Sequence, residues 1–374
     1  MEAVETETVI QTAGKFDFKH DNERGPFGPR FFFESSETFS PPAGLIDMNA
    51  ERIRILLLFL LLGPFGCGKG GSQILPTGEP FEGQFLSGFE AGVSLDMPEV
   101  TGDQWAQFIR GADQGYAWDA DLPKRSSPDN RFTYLVSSQQ TLANLSEYVT
   151  TRIEETSGWN GSPTRALFME LRKEDPLDSE GTRNQFGIYP DATLTQAYLR
   201  HRLKVQPDLD VVLPAGEKRS RMVMEWKETG EPRADFRWNI NIQRDRNVEG
   251  LFWRSHAQFG DLQNSPEVWE CISYVPVPVG EWFVFEVFWK LDPTDGRVWA
   301  AVNGETIIDY RGRTQKDSEL FVWWPFKVYV GGALDLYPND TFYQWVDDVG
   351  IYPEIPSASQ PLSKGDTYSC ETFL

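Results

Sequence analysis

Residues 281–310 read EWFVFEVFWKLDPTDGRVWAAVNGETIIDY. Glu281–Leu291 is largely apolar on both faces, as a strand packed between other layers is. Asp292-Pro293-Thr294-Asp295-Gly296 then breaks the run with turn chemistry. Arg297–Val302 extends again, Asn303-Gly304 reverses the chain, and Glu305–Tyr310 returns. Asn-Gly between two such runs is the strongest short signal of a β-hairpin, because its turn needs positive φ at both central residues. The stretch therefore predicts consecutive antiparallel strands, the outer pair joined by a tight turn.

The same period of two recurs on either side. In Ala197–Val205, Leu199, His201 and Leu203 alternate with Tyr198, Arg200, Arg202 and Lys204. Arg221–Lys227 sets Met222, Met224 and Trp226 against Val223, Glu225 and Lys227. Arg237–Gln243 sets Trp238, Ile240 and Ile242 against Arg237, Asn239, Asn241 and Gln243. Phe326–Val330 and Gln344–Tyr352 complete the series. With 32 Gly and 25 Pro spread along the chain, the turns are frequent enough for a β-sandwich or barrel. Gln139–Glu155 is a helical candidate, although its β-branched residues suit a pair of strands equally. The reading is one all-β domain over 85–355, with a polar, disordered tail over 356–374. The loop Asp113–Asp121 is expected to pack on its own Tyr116 and Trp118.

Composition narrows the function classes. The net charge of −21 over 374 residues argues against nucleic acid, and no basic block offsets it. The 3 cysteines, Cys67, Cys271 and Cys370, make neither a disulfide framework nor a CxxC metal pair. The 3 histidines, His20, His201 and His256, are far apart in sequence and do not suggest a zinc site. His201 falls on the apolar side of its strand and reads as core.

Near the N-terminus, Ile53–Leu62 (IRILLLFLLL) follows Arg52 and precedes GPFGCGKGGS. A basic flank, a short apolar run and small residues describe a signal peptide over 48–66. The run is too short for a good membrane span, which takes about 18 or more apolar residues. It resembles a bacterial lipoprotein signal, which implies acylation of Cys67 and a flexible linker over 67–84. Met48 begins a normal signal sequence, so translation is expected to start there and 1–47 is read as disordered and outside the true protein. The expected location is the bacterial cell envelope or the exterior, with the lipid anchor as the one membrane contact.

Three segments carry a second resemblance. They are Val279–Gly304, Pro325–Gly331 (PFKVYVG) and Trp345–Tyr352 (WVDDVGIY). Together they resemble the concanavalin A-like jelly-roll sandwiches, nearest to the alginate, glucuronan and heparin types of polysaccharide lyase. The resemblance implies an antiparallel jelly-roll β-sandwich acting on an acidic glycan. It carries a tyrosine onto Tyr329, one place earlier in the strand than the lyase pattern has it. It also implies a structural calcium between a first-strand carboxylate, Glu90, and the closing-strand pair Asp347 and Asp348.

Set side by side, the alternating strands collect one polar face. Tyr198, Arg200, Lys204, Glu225, Lys227, Asn239 and Lys327 are its candidate substrate-binding residues. Arg and Lys pair with uronate or sulfate, and amides bond sugar hydroxyls. For β-elimination at a uronic acid, Arg202, Asn241 and Gln243 are the candidates that neutralise the carboxylate. Tyr329 or His256 is the candidate that moves the proton. The same face also suits a non-catalytic carbohydrate-binding module, and a structural or adhesive surface lipoprotein is the third reading. A monomer that engages an anionic polysaccharide is the expected form.

Overall fold

The alternating runs pair into two antiparallel sheets stacked face to face, as the jelly-roll expectation requires. The computed structural model describes residues 84–122, 130–177, 181–189, 194–213, 220–228, 236–244, 249–259, 267–316, 321–331, 341–357 and 368–373. The chain divides into two units, residues 1–72 and 73–374, and every described residue lies in the second. The signal segment, Met48 and Cys67 lie outside the described residues.

The strands run in chain order as β1 (Phe85–Ser87), β2 (Val93–Leu95), β3 (Glu99–Thr101), β4 (Gln104–Asp113), β5 (Tyr116–Ala117) and β6 (Arg131–Leu135). Next come β7 (Val149–Ser157), β8 (Pro163–Leu171), β9 (Arg183–Ile188), β10 (Gln196–Val205), β11 (Ser220–Glu228), β12 (Phe236–Gln243) and β13 (Phe252–Phe259). The last are β14 (Glu267–Ser273), β15 (Phe283–Lys290), β16 (Gly296–Val302), β17 (Glu305–Gly312), β18 (Phe321–Gly331), β19 (Phe342–Tyr352) and β20 (Tyr368–Thr372). The smaller, eight-stranded sheet has the order β17-β16-β15-β10-β19-β8-β7, with β1 also on β19. The larger, twelve-stranded sheet has the order β2-β4-β6-β9-β18-β11-β12-β13-β14-β20, with β3 and β5 on β4. The opening stretch forms β15, β16 and β17 as expected. Asn303 and Gly304 take φ of 50° and 80° at the hairpin turn.

The inner faces interlock through rings. Trp289 of β15 meets Trp323 of β18 edge to face at 5.4 Å, and Trp253 of β13 stacks on Phe285 of β15 at 5.6 Å. Each such ring removes a large apolar area from water, the main favourable term in folding. His201 lies where its alternation put it, in the core between Phe285 and Phe326. Burial pushes its imidazole down to about 3, so it is neutral at pH 7. The Asp113–Asp121 loop is packed by its own tryptophan: Trp118 is buried against Phe85 and Phe89 and donates its indole N–H to Ser87 Oγ at 2.9 Å.

Several sequence expectations are corrected. Gln139–Glu155 is neither one helix nor two strands. Leu142–Leu145 makes one helical turn, capped by the Thr141 hydroxyl, and β7 follows. A register shift between Met222 and Met224 breaks the alternation of β11. Val223 thereby joins the core cluster and Met222 stays out of it. The C-terminal stretch is not wholly a tail: β20 pairs with β14 from Trp269↔Thr372 to Ser273↔Tyr368. Cys271 and Cys370, opposite one another in that ladder, form a disulfide.

Candidate functional site

Alternation separates inward from outward side chains, but it does not say which sheet a strand joins. Tyr198, Arg200, Arg202 and Lys204 belong to β10 in the smaller sheet. Glu225, Lys227, Asn239, Asn241, Gln243, His256, Lys327 and Tyr329 belong to β11, β12, β13 and β18 in the larger sheet. On β10 the inward residue His201 touches Phe326 of the larger sheet, so its neighbours Arg200 and Arg202 point the other way. The single polar face expected from sequence is therefore two faces, on opposite sides of the sandwich. Arg202 cannot act beside Asn241 or Tyr329. Tyr198 is not a surface residue at all. It is buried with Phe288 and Trp299, and its hydroxyl donates to the Glu286 carboxylate.

The face on the larger sheet is the richer one. Register partners carry a polar row across it: Thr133 opposite Gln185, Gln185 opposite Lys327, Glu225 opposite Asn239, and Asn239 opposite His256. Thr133, Gln185, Glu225, Asn239, Asn241 and Lys327 are all buried, although they point away from the core. Half-exposed Trp324, Tyr329, Arg183 and Arg237 surround them. Tyr329 does face this side with Lys327, despite its early position in the strand: the two alternate with inward Phe326 and Val328. Arg237 was read on the polar side of its strand but not as a site residue, and Thr133, Arg183 and Gln185 of β6 and β9 were not picked out from sequence. Their strands are short, and period two needs length before it is legible.

Lys327 and Glu225 form an ion pair, with Arg237 Nη1 3.7 Å from the other oxygen of Glu225. Burial works to raise the Glu225 pKa, but Lys327, then Arg237 and Arg183, outweigh it and hold it at about 2. Burial pulls the Lys327 ammonium down, against the attraction of Glu225. Lys327 Nζ also lies 4.9 Å from the Trp324 ring and 5.5 Å from that of Tyr329. Arg183 sits 4.8 Å over the Tyr329 ring.

Along β12 and β13 a relay of side chains ends on His256. The Asn241 amide donates to Asn239 Oδ1, and Asn239 Nδ2 lies 3.4 Å from His256 Nε2. With that amide donating, the neutral ring carries its proton on Nδ1. Gln185 Oε1, Asn241 Oδ1, Thr133 Oγ1 and His256 Nδ1 are buried atoms with no hydrogen-bond partner among the described residues. Burial first, then Arg254 and Arg237, hold the His256 pKa at about 3, with Glu225 opposing. An unfolded imidazole takes its proton near 6.5, the folded ones near 3. The unfolded state binds more protons in that window, so stability is full above it and falls as the pH drops through it. In NMR titrations the imidazole signals of His201 and His256 are expected to stay flat from about pH 8 to about pH 4 while the protein remains folded. A midpoint near the ordinary histidine value for either residue would contradict the burial assigned to it.

The expected calcium residues only partly converge. Thr164 Oγ1 is 3.2 Å from both Glu90 Oε1 and Asp347 Oδ2, so these carboxylates share one hydroxyl. Burial, then Asp348 and Glu90, push Asp347 up to about 7. Asp348 instead accepts from Arg202 Nε at 2.8 Å. Among the described residues no group of three or more His, Cys, Asp or Glu side chains is placed to hold a metal ion. Calcium takes about six to eight oxygens. The donor set drawn from sequence is not assembled, and no chemical step is routed through it.

No family model matches the chain, and no curated protein matches it. Among solved structures it shows distant similarity to the alginate lyase Aly36B, at 13% identity and a TM-score of 0.36, over 57% of this chain and 85% of that one. The alginate lyase AlyC3 is similar at 11% identity and a TM-score of 0.32, over 50% and 74%. The Caenorhabditis elegans galectin LEC-6 is similar at 12% identity and a TM-score of 0.26, over 49% and 95%. These likenesses are distant, and no family membership follows from them.

Proposed function

We propose that the outer face of the larger sheet binds an acidic polysaccharide, and that in its sharper form the protein cleaves a uronate glycan by β-elimination. The observation that carries the reading is the row of buried, unpartnered polar atoms on Thr133, Gln185, Asn241 and His256 beside the Lys327 ammonium. Buried polar atoms need partners. Amides, a hydroxyl and an imidazole N–H match the hydroxyls of a sugar, and an ammonium matches its carboxylate. Half-exposed Trp324 and Tyr329 supply rings at the rim.

Elimination needs the uronate charge neutralised and a proton moved. Lys327 takes the first role. Asn241 and Gln243 lie two strands away on β12, Gln243 level with Gly331, and are placed to bond sugar hydroxyls instead. Arg202, on the other face, is excluded from the first role. Tyr329 and His256 cannot share the second role. Their strands are separated by β11 and β12, which puts them roughly 14 Å apart at about 4.8 Å per strand. Tyr329 is therefore the proton carrier. As phenolate it takes the proton from the carbon next to the carboxylate. The electrons of that C–H bond form the new C=C, the C–O bond to the neighbouring sugar breaks, and the leaving oxygen takes the proton back. His256, as a neutral N–H donor, holds sugar hydroxyls. The non-catalytic reading stays as the second, favoured by this wide Tyr329–His256 separation.

An absorbance assay for unsaturated uronate tests both, run over alginate, glucuronan and heparin. Activity on one of them, abolished by Tyr329→Phe with binding retained, is the expected result. No absorbance rise on any, with binding retained and weakened by Gln185→Ala, leaves the binding-module form. No binding to any of them sinks the reading. The Cys271–Cys370 disulfide is in keeping with an exported protein, since such bonds persist in oxidising compartments. Envelope anchoring through Cys67 and a start at Met48 belong to the same proposal.

A further inference from the structure

The opposite side of the sandwich holds a second arrangement, built from other residues. Trp159 stands in the β7–β8 turn and is 47% exposed. Its ring lies 4.1 Å from the Arg202 guanidinium carbon, and Arg202 Nε donates to Asp348 Oδ2 at 2.8 Å. The turn itself is tied: Gly158 N–H donates to Ser162 O at 2.8 Å, and Ser162 N–H donates to Asn160 Oδ1 at 2.9 Å. Trp282 donates its indole N–H to Ser157 O at 2.7 Å, at the base of the same turn. The Trp159 ring is thus held from behind by a fixed cation while much of it meets solvent.

A rung of register partners continues across this face. Lys204, Trp345, Phe168 and Arg152 lie opposite one another on β10, β19, β8 and β7. Lys204 Nζ is 5.2 Å from the Trp345 ring, and Arg152 is 4.1 Å over Phe168. Arg152 pairs with Glu154 and Arg202 with Asp348, whereas Lys204 has no carboxylate partner among the described residues.

We infer that this surface is a second polysaccharide-binding site, taking a uronate- or sulfate-bearing chain with a sugar ring against Trp159 and an anionic group at Lys204. A protein partner asks for a contiguous apolar patch. Here the rings are interleaved with charge: Arg202, Asp348 and Asn160 rim Trp159, while Lys204 and Arg152 flank Trp345 and Phe168, the surroundings that suit a sugar, with one apolar ring face and hydroxyls at its edge. Lys204 sets the preference for acidic chains. Two sites on opposite faces let one protein engage two chains, which raises retention on a polymer through effective concentration.

Affinity electrophoresis in gels cast with sodium alginate, heparin or neutral dextran tests this. Trp159 is exposed in a turn, so Trp159→Ala is expected to keep the unfolding midpoint. It should weaken retardation by about fivefold in an acidic gel, a ring-contact effect. Lys204→Gln should weaken retardation in acidic gels only. Gln185→Ala, on the larger sheet, should leave a remaining retardation that Trp159→Ala still reduces. Unchanged retardation of Trp159→Ala in both acidic gels overturns the inference and leaves the larger-sheet reading standing. Retardation that Gln185→Ala alone abolishes also overturns it. Retardation lost with Trp159→Ala and untouched by Gln185→Ala upholds it and removes the larger-sheet reading.

Discussion

Cys370→Ser is expected to lower the unfolding free energy by about 4–5 kcal/mol, the chain-entropy value for a long closed loop. The residues it joins are 99 apart in sequence, so the bond restricts a large part of the unfolded chain. The native side adds to this. β20 is a five-residue edge strand, and its pairing with β14 is reinforced by the disulfide in the middle of the ladder. β14 and β20 also lie against β17 of the smaller sheet. There Trp269 stacks on Tyr310 at 4.3 Å, and the Tyr310 hydroxyl bonds the side chain of Thr372. The C-terminal strand therefore closes one open side of the sandwich. Cys370 is the position to change, because Cys271 is fully buried and serine there would add a buried hydroxyl. Urea unfolding of the wild type with and without reductant, beside the variant, makes the measurement. Reduced wild type should match the variant. A loss below about 1 kcal/mol would show that the bond merely decorates an edge that holds without it.

That strand also marks where sequence reading stops. The hairpin of β16 and β17 was legible because Asn303-Gly304 carries a backbone requirement that few residues meet. The inward side of β10 was legible because Leu199, His201 and Leu203 alternate cleanly over a long strand. Tyr368–Thr372 does alternate, Tyr368 and Cys370 against Ser369 and Glu371, but over only five residues of which just two are apolar. Its place comes from a covalent bond between cysteines 99 residues apart, which the odd number of cysteines concealed. The candidate site was half legible for a related reason. Period two assigned Arg202 and Asn241 each to a polar side correctly. Whether those sides coincide depends on sheet membership, and that is fixed by long-range pairing: β10 joins β15 and β19, while β12 joins β11 and β13. Bulges are similarly silent, since the one after Met222 exchanges two apolar residues between faces without changing composition.

The second large effect lies in the ion pair at the centre of the larger-sheet face. Glu225→Gln is expected to cost about 3–5 kcal/mol, the range for breaking a buried pair and leaving one charge uncompensated. The remaining Lys327 would be buried beside Arg237 and Arg183 with no anion among them that the described residues place as close as Glu225. The double variant Glu225→Gln with Lys327→Met should recover much of that loss, because removing both charges also removes their desolvation cost. A double variant as unstable as the sum of the singles would mean that the two side chains do not act as a pair. The pH dependence has a definite sign. The folded carboxyl titrates at about 2, below its ordinary 4.5, so its stabilisation is complete above that ordinary value and is lost as the pH falls toward 2. Wild-type stability should therefore decline over that acid window more steeply than that of the double variant, which lacks the group. The same pair bears on binding. A sugar carboxylate entering beside Lys327 shares one ammonium with Glu225, and Glu225, titrating at about 2, keeps its charge wherever an ordinary sugar carboxylate keeps its own. Glu225 also holds the proton on Lys327 against its burial, so Glu225→Gln should bind a uronate glycan more weakly than the wild type at neutral pH wherever it stays folded. Equal binding by a folded Glu225→Gln protein would place the ligand's charge away from Lys327, and tighter binding would mean that Lys327 keeps its proton without Glu225.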